Sequence, residues 1–134
     1  MHETIVQTIK DSPAGALVLR TDGVYNIFPK HIPDNSLTET FETAIVYDIV
    51  SATVTKTLTT YVFQLKVFAR NYTAHRDLLL ELKKEFNNKV YTESGQTSQG
   101  ISTTVVNMVE LGYEPDTNVY SSAIDIYVKT ALDI

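Results

Sequence analysis

One stretch of sequence decides the fold: residues 60–71, TYVFQLKVFARN, followed at once by a leucine-rich stretch at residues 73–90. In the first stretch apolar side chains recur at every second residue, which is the period of a β-strand with one buried face. The pattern assigns to the core Tyr61, Phe63, Leu65, Val67 and Ala69. The opposite face is mixed and is predicted to be partly wet or partly covered. It carries Val62, Gln64, Lys66, Phe68 and Arg70.

The leucine-rich stretch has the period of an amphipathic helix. Thr73 is a favourable N-cap residue, so the main helix is predicted over about residues 73–90. Its apolar stripe consists of Leu78, Leu79, Leu82, Phe86 and Val90. Leu80 falls off this stripe, beside the polar face, and an apolar residue placed there is compatible with a contact to another subunit.

Shorter elements surround this strand–helix pair. Apolar residues near the N-terminus predict a short helix that ends before Pro13. Strands are predicted at residues 24–28 and 44–51. A final antiparallel pair follows at residues 101–111 and 120–128. In the first of these two strands we expect alternating burial throughout, with Ile101, Thr103, Val105, Val109 and Leu111 in phase. The predicted fold class is therefore α+β, a mainly antiparallel sheet packed against one main helix and a short N-terminal helix.

The composition is that of an ordinary globular protein, with 43% hydrophobic and 20% charged residues among 134. This length suits a single domain over residues 1–134. The net charge of −5 argues against duplex DNA as the primary ligand, because holding phosphates needs clustered lysine and arginine. The chain has no cysteine, which excludes disulfides and cysteine-ligated metal sites. No apolar run approaches the ~18 residues needed to cross a bilayer, so we expect no membrane partner.

No sequence motif announces catalysis: the chain has no nucleophile elbow, glycine-rich phosphate loop or paired-histidine motif. Asp48 and Asp125 lie within predicted strands and, with a tyrosine, would form an acid–base site only if folding assembled them. Their simpler interpretation is the solvent face of an amphipathic strand. His75 is expected to be packed or hydrogen-bonded locally at the helix start. We therefore expect no catalytic, cofactor or metal site.

A non-enzymatic assembly subunit is favoured over an enzyme. The chain has eight tyrosines, a residue type that suits interfaces because it buries area and keeps a polar end. Val62 and Phe68 lie on the mixed strand face, and a neighbouring subunit must cover them if no helix of the same chain does so.

Several segments of the chain carry a family resemblance, and they occur in a fixed order. They are residues 24–29 (VYNIFP), 32–34 (IPD), 44–47 (AIVY), 61–70 (YVFQLKVFAR), the leucine-rich helix and residues 120–127 (YSSAIDIY). In this order they resemble the tail completion proteins of long-tailed bacteriophages, also called tail-to-head joining or tail terminator proteins. The similarity spans residues 24–128.

The resemblance implies a small α+β subunit that forms a hexameric ring on top of the tail tube. The ring would end tube growth and dock to the connector, so the implied partners are the tail tube protein and the head-completion (connector or stopper) protein. DNA would pass through the lumen without specific binding. The implied location is the head–tail joining region of the virion, and the host cytoplasm during assembly.

Two loops, at residues 29–43 and 91–100, are the candidate docking segments. The candidate assembly-interface residues are His31, Asp34, Phe41, Val62, Phe68, Leu80, Glu93 and Gln96. The sequence leaves open a soluble accessory protein or small enzyme of unknown substrate. It also leaves open a subunit of another contractile or secretion-type tube.

Overall fold

A computed structural model describes residues 2–20, 23–30, 43–55, 58–92, 100–115 and 118–130. Its helices are α1 (His2–Asp11), α2 (Pro13–Val18) and α3 (Tyr72–Phe86). Its strands are β1 (Ile27–Pro29), β2 (Thr43–Val54), β3 (Thr59–Ala69), β4 (Lys89–Thr92), β5 (Gly100–Glu114) and β6 (Val119–Thr130). The strands form one sheet in the order β1-β2-β3-β6-β5-β4. Only the β1–β2 pairing is parallel, so the predicted α+β class with a mainly antiparallel sheet is confirmed.

Strand β3 lies near the middle of the sheet and pairs antiparallel with both β2 and β6. Its alternation is confirmed, because the five side chains assigned to the core are all buried. Four of them, all but Ala69, form one cluster with buried residues of all three helices, including Ile5, Val18 and Leu82. The described helices therefore cover one face of the sheet, here called the inner face. The opposite face is called the outer face.

Helix α3 differs from its prediction at both ends. Its N-cap is Asn71 rather than Thr73, because the Asn71 side chain accepts hydrogen bonds from the backbone N–H groups of Thr73 (2.8 Å) and Ala74 (3.2 Å). The helix ends at Phe86, whose carbonyl accepts a hydrogen bond from the buried Thr103 hydroxyl at 2.8 Å.

Asn88 then adopts a left-handed conformation (φ 56°), which asparagine tolerates better than most residues and which turns the chain out of the helix. Val90 consequently lies in β4 and is 77% exposed, so the prediction that it belongs to the helix stripe is wrong. For the same reason the predicted loop at residues 91–100 starts inside a strand.

Strand β5 breaks its alternation twice. Its register against β6 shifts between Val105 and Asn107 and again between Glu110 and Gly112. Each shift is a β-bulge, an extra residue that reverses the faces of the residues after it. Val109 and Leu111 are therefore exposed, and the expectation that they stay in phase with the buried Ile101 is wrong.

The junction between α1 and α2 depends on a glycine. Gly15 is buried, and a Cβ built on it would lie 2.6 Å from the carbonyl oxygen of Ile9 and closer still to that of Lys10. Both obstructing atoms belong to backbone, which cannot rotate away as a side chain can. The close approach of the two helices therefore requires glycine here.

Replacing Gly15 with alanine tests this approach. Helix propensity alone would make Gly15→Ala stabilising, but we expect it to lower the free energy of unfolding by about 1–3 kcal/mol through overpacking. Ala16→Gly, at the exposed neighbouring position, is the matched control and should cost about 1 kcal/mol from propensity alone. Urea unfolding measures both, and a Gly15→Ala protein more stable than the parent contradicts the packing argument.

Candidate functional site

The outer face of the sheet carries two of the predicted interface residues. Val62 and Phe68 are both partly exposed, and Lys66 between them is exposed, which confirms the prediction of a partly wet face. No helix among the described residues covers this face. That a neighbouring subunit covers Val62 and Phe68 stays a prediction.

Asp48 and Asp125 lie on the same outer face, where Gln64 of β3 stands opposite both of them. Asp125 accepts a hydrogen bond from the Gln64 side-chain amide at 3.0 Å and a long one from that of Asn107 at 3.5 Å. Asp48 is exposed. The two carboxylates therefore sit two strands apart, about 10 Å, with an amide between them, which is too far to share a proton.

The sheet has stepped edges. Strand β1 pairs only with residues 45–47 of β2, and β4 pairs only with residues 100–103 of β5. Each of these strands therefore has a segment whose edge, on the side away from the centre of the sheet, pairs with no described strand. These two open segments are residues 48–54 of β2 and 104–113 of β5. The register places these two open segments towards opposite ends of the sheet: Ala52 is level with Thr103, whereas Ile45 is level with Glu110.

Three β-bulge residues lie on these open segments, and all three are aliphatic. Val50 is the extra residue in β2, and Val106 and Leu111 are the extra residues in β5. Their exposed fractions are 57%, 43% and 54%. Bulges on edge strands oppose unselective edge pairing and re-aim side chains. Here they place apolar groups on the rim of the sheet, where a partner of matching shape would bury them.

Leu80 does not join Val62 and Phe68 in one surface. It lies on α3, in the helical layer, and is 44% exposed. Together with Pro13 and Leu17 of α2 it lines a shallow groove whose rim carries Asp77, Glu81 and Lys84. The prediction that Leu80 contacts another subunit stays a prediction. The other five predicted interface residues, His31, Asp34, Phe41, Glu93 and Gln96, lie outside the described residues.

A second concavity lies between the start of α3 and the β5–β6 hairpin, here called the His75 pocket. Its volume is about 200 Å³. It is lined by Tyr72, His75, Arg76, Leu79, Met108, Val109, Glu110 and Ser122. His75 and Ser122 are 2% and 1% exposed, and neither the His75 Nε2 atom nor the Ser122 Oγ atom has a hydrogen-bond partner. The local packing expected for His75 is present, but its Nε2 has no local hydrogen bond.

Aromatic rings extend the wall of this pocket. The ring of Tyr120 lies 5.5 Å from that of Tyr72, 6.1 Å from that of His75 and 4.6 Å from that of Tyr113, measured between centroids. Burial lowers the pKa of His75 below its ordinary value, and the Glu110 carboxylate opposes that shift. The imidazole is therefore neutral at pH 7.

Sequence reasoning missed the bulged aliphatic residues and the His75 pocket. A bulge leaves no local signature in a run such as TTVVNMVEL, because any of its apolar residues can be the extra one. Ser122 and Glu110 meet His75 only through the pairing of β5 with β6, which no spacing along the chain reveals. The described residues contain no group of three or more His, Asp or Glu side chains placed to hold a metal ion.

Comparisons with known proteins add one finding about the fold. No family model matches the chain, and no curated protein matches it. Among solved structures, the chain is similar to a chain in the virion of a native gene transfer agent particle, with a TM-score of 0.65 and 12% sequence identity. The match covers 94% of this chain and 90% of that one, so the two share a fold over nearly their whole lengths. No described helix is long and apolar enough to cross a membrane.

The buried, neutral His75 gives the protein a specific pH dependence. Because the pKa of His75 is lower in the folded state than in the unfolded state, the unfolded chain takes up the proton first as the pH falls. We expect the free energy of unfolding to be independent of His75 protonation above pH ~7. It should decrease progressively as the pH falls through about 6.5, because protonation of His75 then favours the unfolded chain. The variant His75→Gln should show a smaller decrease in the free energy of unfolding than the parent protein when the pH falls from 7.5 to 5.5.

Glu110→Gln provides the complementary variant. It removes the charge that raises the pKa of His75, so the His75 ring should titrate at a lower pH than in the parent protein. NMR titration of the histidine rings measures this directly. A His75 ring that titrates at or above pH 6.5 contradicts the burial of a neutral imidazole.

Proposed function

We propose that this chain is a structural subunit of a phage-type virion, that it acts by contact and not by catalysis, and that it caps the tail tube and joins the tail to the head connector. Two independent lines support the proposal. The order of sequence segments resembles the tail completion proteins, and the fold is similar to that of a chain in a gene transfer agent virion.

The stepped edges carry the argument for a ring. At the level of Ala52 the outermost strands are β2 and β4, and at the level of Ile45 they are β1 and β5. If a second copy is placed with its β5/β4 edge beside the β1/β2 edge of the first, the β4 of the second copy faces the open segment of β2 in the first, and the β1 of the first copy faces the open segment of β5 in the second. The short edge strands then fill part of each other's steps: β4 lies beside residues from Ala52 onwards of β2, and β1 lies beside residues 108–110 of β5, where backbone groups gain partners. Residues 48–51 of β2 and 104–107 of β5, with the bulges at Val50 and Val106, face each other across the gap between β1 and β4.

Such a contact joins two different edges, so it is heterologous and repeats from copy to copy until it closes. The described helices add bulk on the inner face alone. A ring of such subunits would therefore curve so that the outer face, which no described helix covers, turns towards the ring axis. The number of six subunits and the central passage for DNA are what the resemblance to the tail completion proteins implies. Charged side chains of both signs lie on the outer face: Asp48 and Asp125 are acidic, and Lys66 and Lys129 are basic. These four residues do not form the cluster of positive charges that holding DNA phosphates needs.

Charge placed on the open segments tests the ring. We expect Val50→Lys and Val106→Lys each to prevent ring formation, because both positions lie in the gap between β1 of one copy and β4 of the next, where the contact would bury an unpaired charge. Mass measurement in solution, alone and mixed with tail tubes, gives the readout: a hexamer for the parent chain on tubes and a monomer for the variants.

Leu17→Lys is the matched control, since Leu17 is an exposed aliphatic residue on α2, in the helical layer and on neither edge of the sheet. It should leave the ring intact. A parent chain that stays monomeric and never binds tubes would refute the proposal, and rings that form equally well with lysine at positions 50 and 106 would refute the edge contact.

A further inference from the structure

The helical layer gives the two edges of the inner face different surfaces. Helix α2 packs against both α1 and α3 and lies over β2, whereas α3 lies over β3, β5 and β6. Helix α1 therefore lies at the β1/β2 edge of the sheet. The Lys10 side chain, near the end of α1, agrees with this position, because its Nζ atom lies 5.5 Å from the centroid of the Tyr25 ring, just before β1.

The surface at the β1/β2 edge, here called the Lys10 surface, combines the Lys10 charge with exposed aliphatic side chains. Leu19 forms a β-bridge with Tyr25, so it lies beside the same tyrosine as Lys10. Leu19 and Val24 are both exposed. Tyr25 packs against the core cluster, which places this surface on the inner side of the sheet.

The surface at the β5 edge, here called the Glu110 surface, combines a negative charge with exposed apolar side chains. Glu110, Met108 and Tyr113 lie on the inner face of β5, and all three are exposed. Tyr72, at the start of α3, is also exposed and contacts Tyr120, which in turn contacts Tyr113. The Lys10 and Glu110 surfaces are therefore both partly apolar and opposite in charge, and neither charge forms an ion pair with another described residue.

Strand pairing places the two surfaces at the same height on opposite edges of the sheet. Ile27 of β1 is level with Glu110, and the same register places Tyr25, two residues earlier, level with Tyr113. Within one chain β1 and β5 lie four strand spacings apart, about 19 Å, so Lys10 and Glu110 cannot meet there. In the ring proposed above, β1 of the first copy lies one spacing, about 4.8 Å, from β5 of the second, which brings Lys10 within side-chain reach of Glu110.

We propose that Lys10 of one copy and Glu110 of the next form an ion pair, and that Leu19 and Val24 of the first copy pack against Met108 and Tyr113 of the second. This inference rests on the proposed ring and adds what selects it. Two Lys10 surfaces, or two Glu110 surfaces, would bring like charges together, which disfavours a closed two-fold dimer. The contact between unlike edges pairs both charges, so it is the contact that repeats from copy to copy.

Reversal of each charge tests the ion pair. Lys10→Glu and Glu110→Lys should each raise the chain concentration at which half of the tail tubes carry rings by at least about tenfold, because like charges then face each other. The double variant Lys10→Glu with Glu110→Lys should assemble close to the parent concentration, a recovery that misfolding of the single variants cannot produce. Asp77→Lys with Lys84→Glu is the matched control. It makes the same two changes of charge in the groove between α2 and α3, on neither edge of the sheet, and should assemble like the parent.

Cross-linking with a carbodiimide reads the same contact without any variant, because this reagent joins an amine to a carboxylate that touches it. Peptide mapping should find an amide between Lys10 and Glu110 in rings of the parent protein and none in the free chain. Rings that lack this link, or single variants that assemble as readily as the parent, would overturn the ion pair and leave the ring in place. A parent chain that forms no rings would refute the proposed function instead.

Discussion

The structure depends on the alternation of β3 and on the helices packed against one side of it. Five side chains of this strand are buried, and four of them, all but Ala69, share one core cluster with Leu78, Leu82 and Phe86 of α3. Because side chains alternate strictly along a strand, a slip of one residue would exchange the buried set for Val62, Gln64, Lys66, Phe68 and Arg70. The register of β2 and β6 on either side of β3 is therefore fixed by burial.

The described helices pack against one face of the sheet only, and this limits the surfaces at which the sheet can contact another protein. Since the described helices cover only the inner face, a partner can meet the outer face where Val62, Lys66 and Phe68 keep some exposure, and the two open edge segments. Other residues of the outer face, namely Ala44, Val46 and Ala123, are already buried. The edge strands β1 and β4 are three and four residues long, so most of β2 and β5 pairs with no described strand on the edge that faces away from the centre of the sheet. Long open edges invite unselective pairing, and the bulges at Val50, Val106 and Leu111 restrict which partner can approach.

Helices and strands with a long hydrophobic periodicity could be predicted from the sequence. Features that depend on a single residue in an unusual backbone conformation, or on a single inserted residue, could not. The alternation in β3 and the leucine stripe of α3 predicted the centre of the fold, because each pattern runs for ten or more residues. The end of α3 could not be placed, since Val90 continues the stripe and only the left-handed Asn88 stops the helix. The exposed Val109 was missed because one inserted residue reverses a face without changing the composition.

The same distinction holds for the candidate sites. Val62 and Phe68 could be assigned to one face from their spacing alone, and their partial exposure agrees with that assignment. The His75 pocket needs three elements to come together: α3 supplies the imidazole, β6 the serine and β5 the carboxylate. The stepped edges are likewise a property of strand pairing, because nothing within β1 or β4 indicates how little of its neighbour each one covers.

The central claim, that the sheet continues from one copy into the next, can be tested by a disulfide in a chain that has no cysteine of its own. Thr53 and Val90 are level with each other in the register but lie on opposite edges of one sheet, about 19 Å apart across four strand spacings. Within one chain the Thr53→Cys and Val90→Cys pair therefore cannot close. Oxidation of the double variant on tail tubes should give a ladder of linked chains that stops at six. Chains that remain unlinked, although each single variant still binds tubes, would contradict the account.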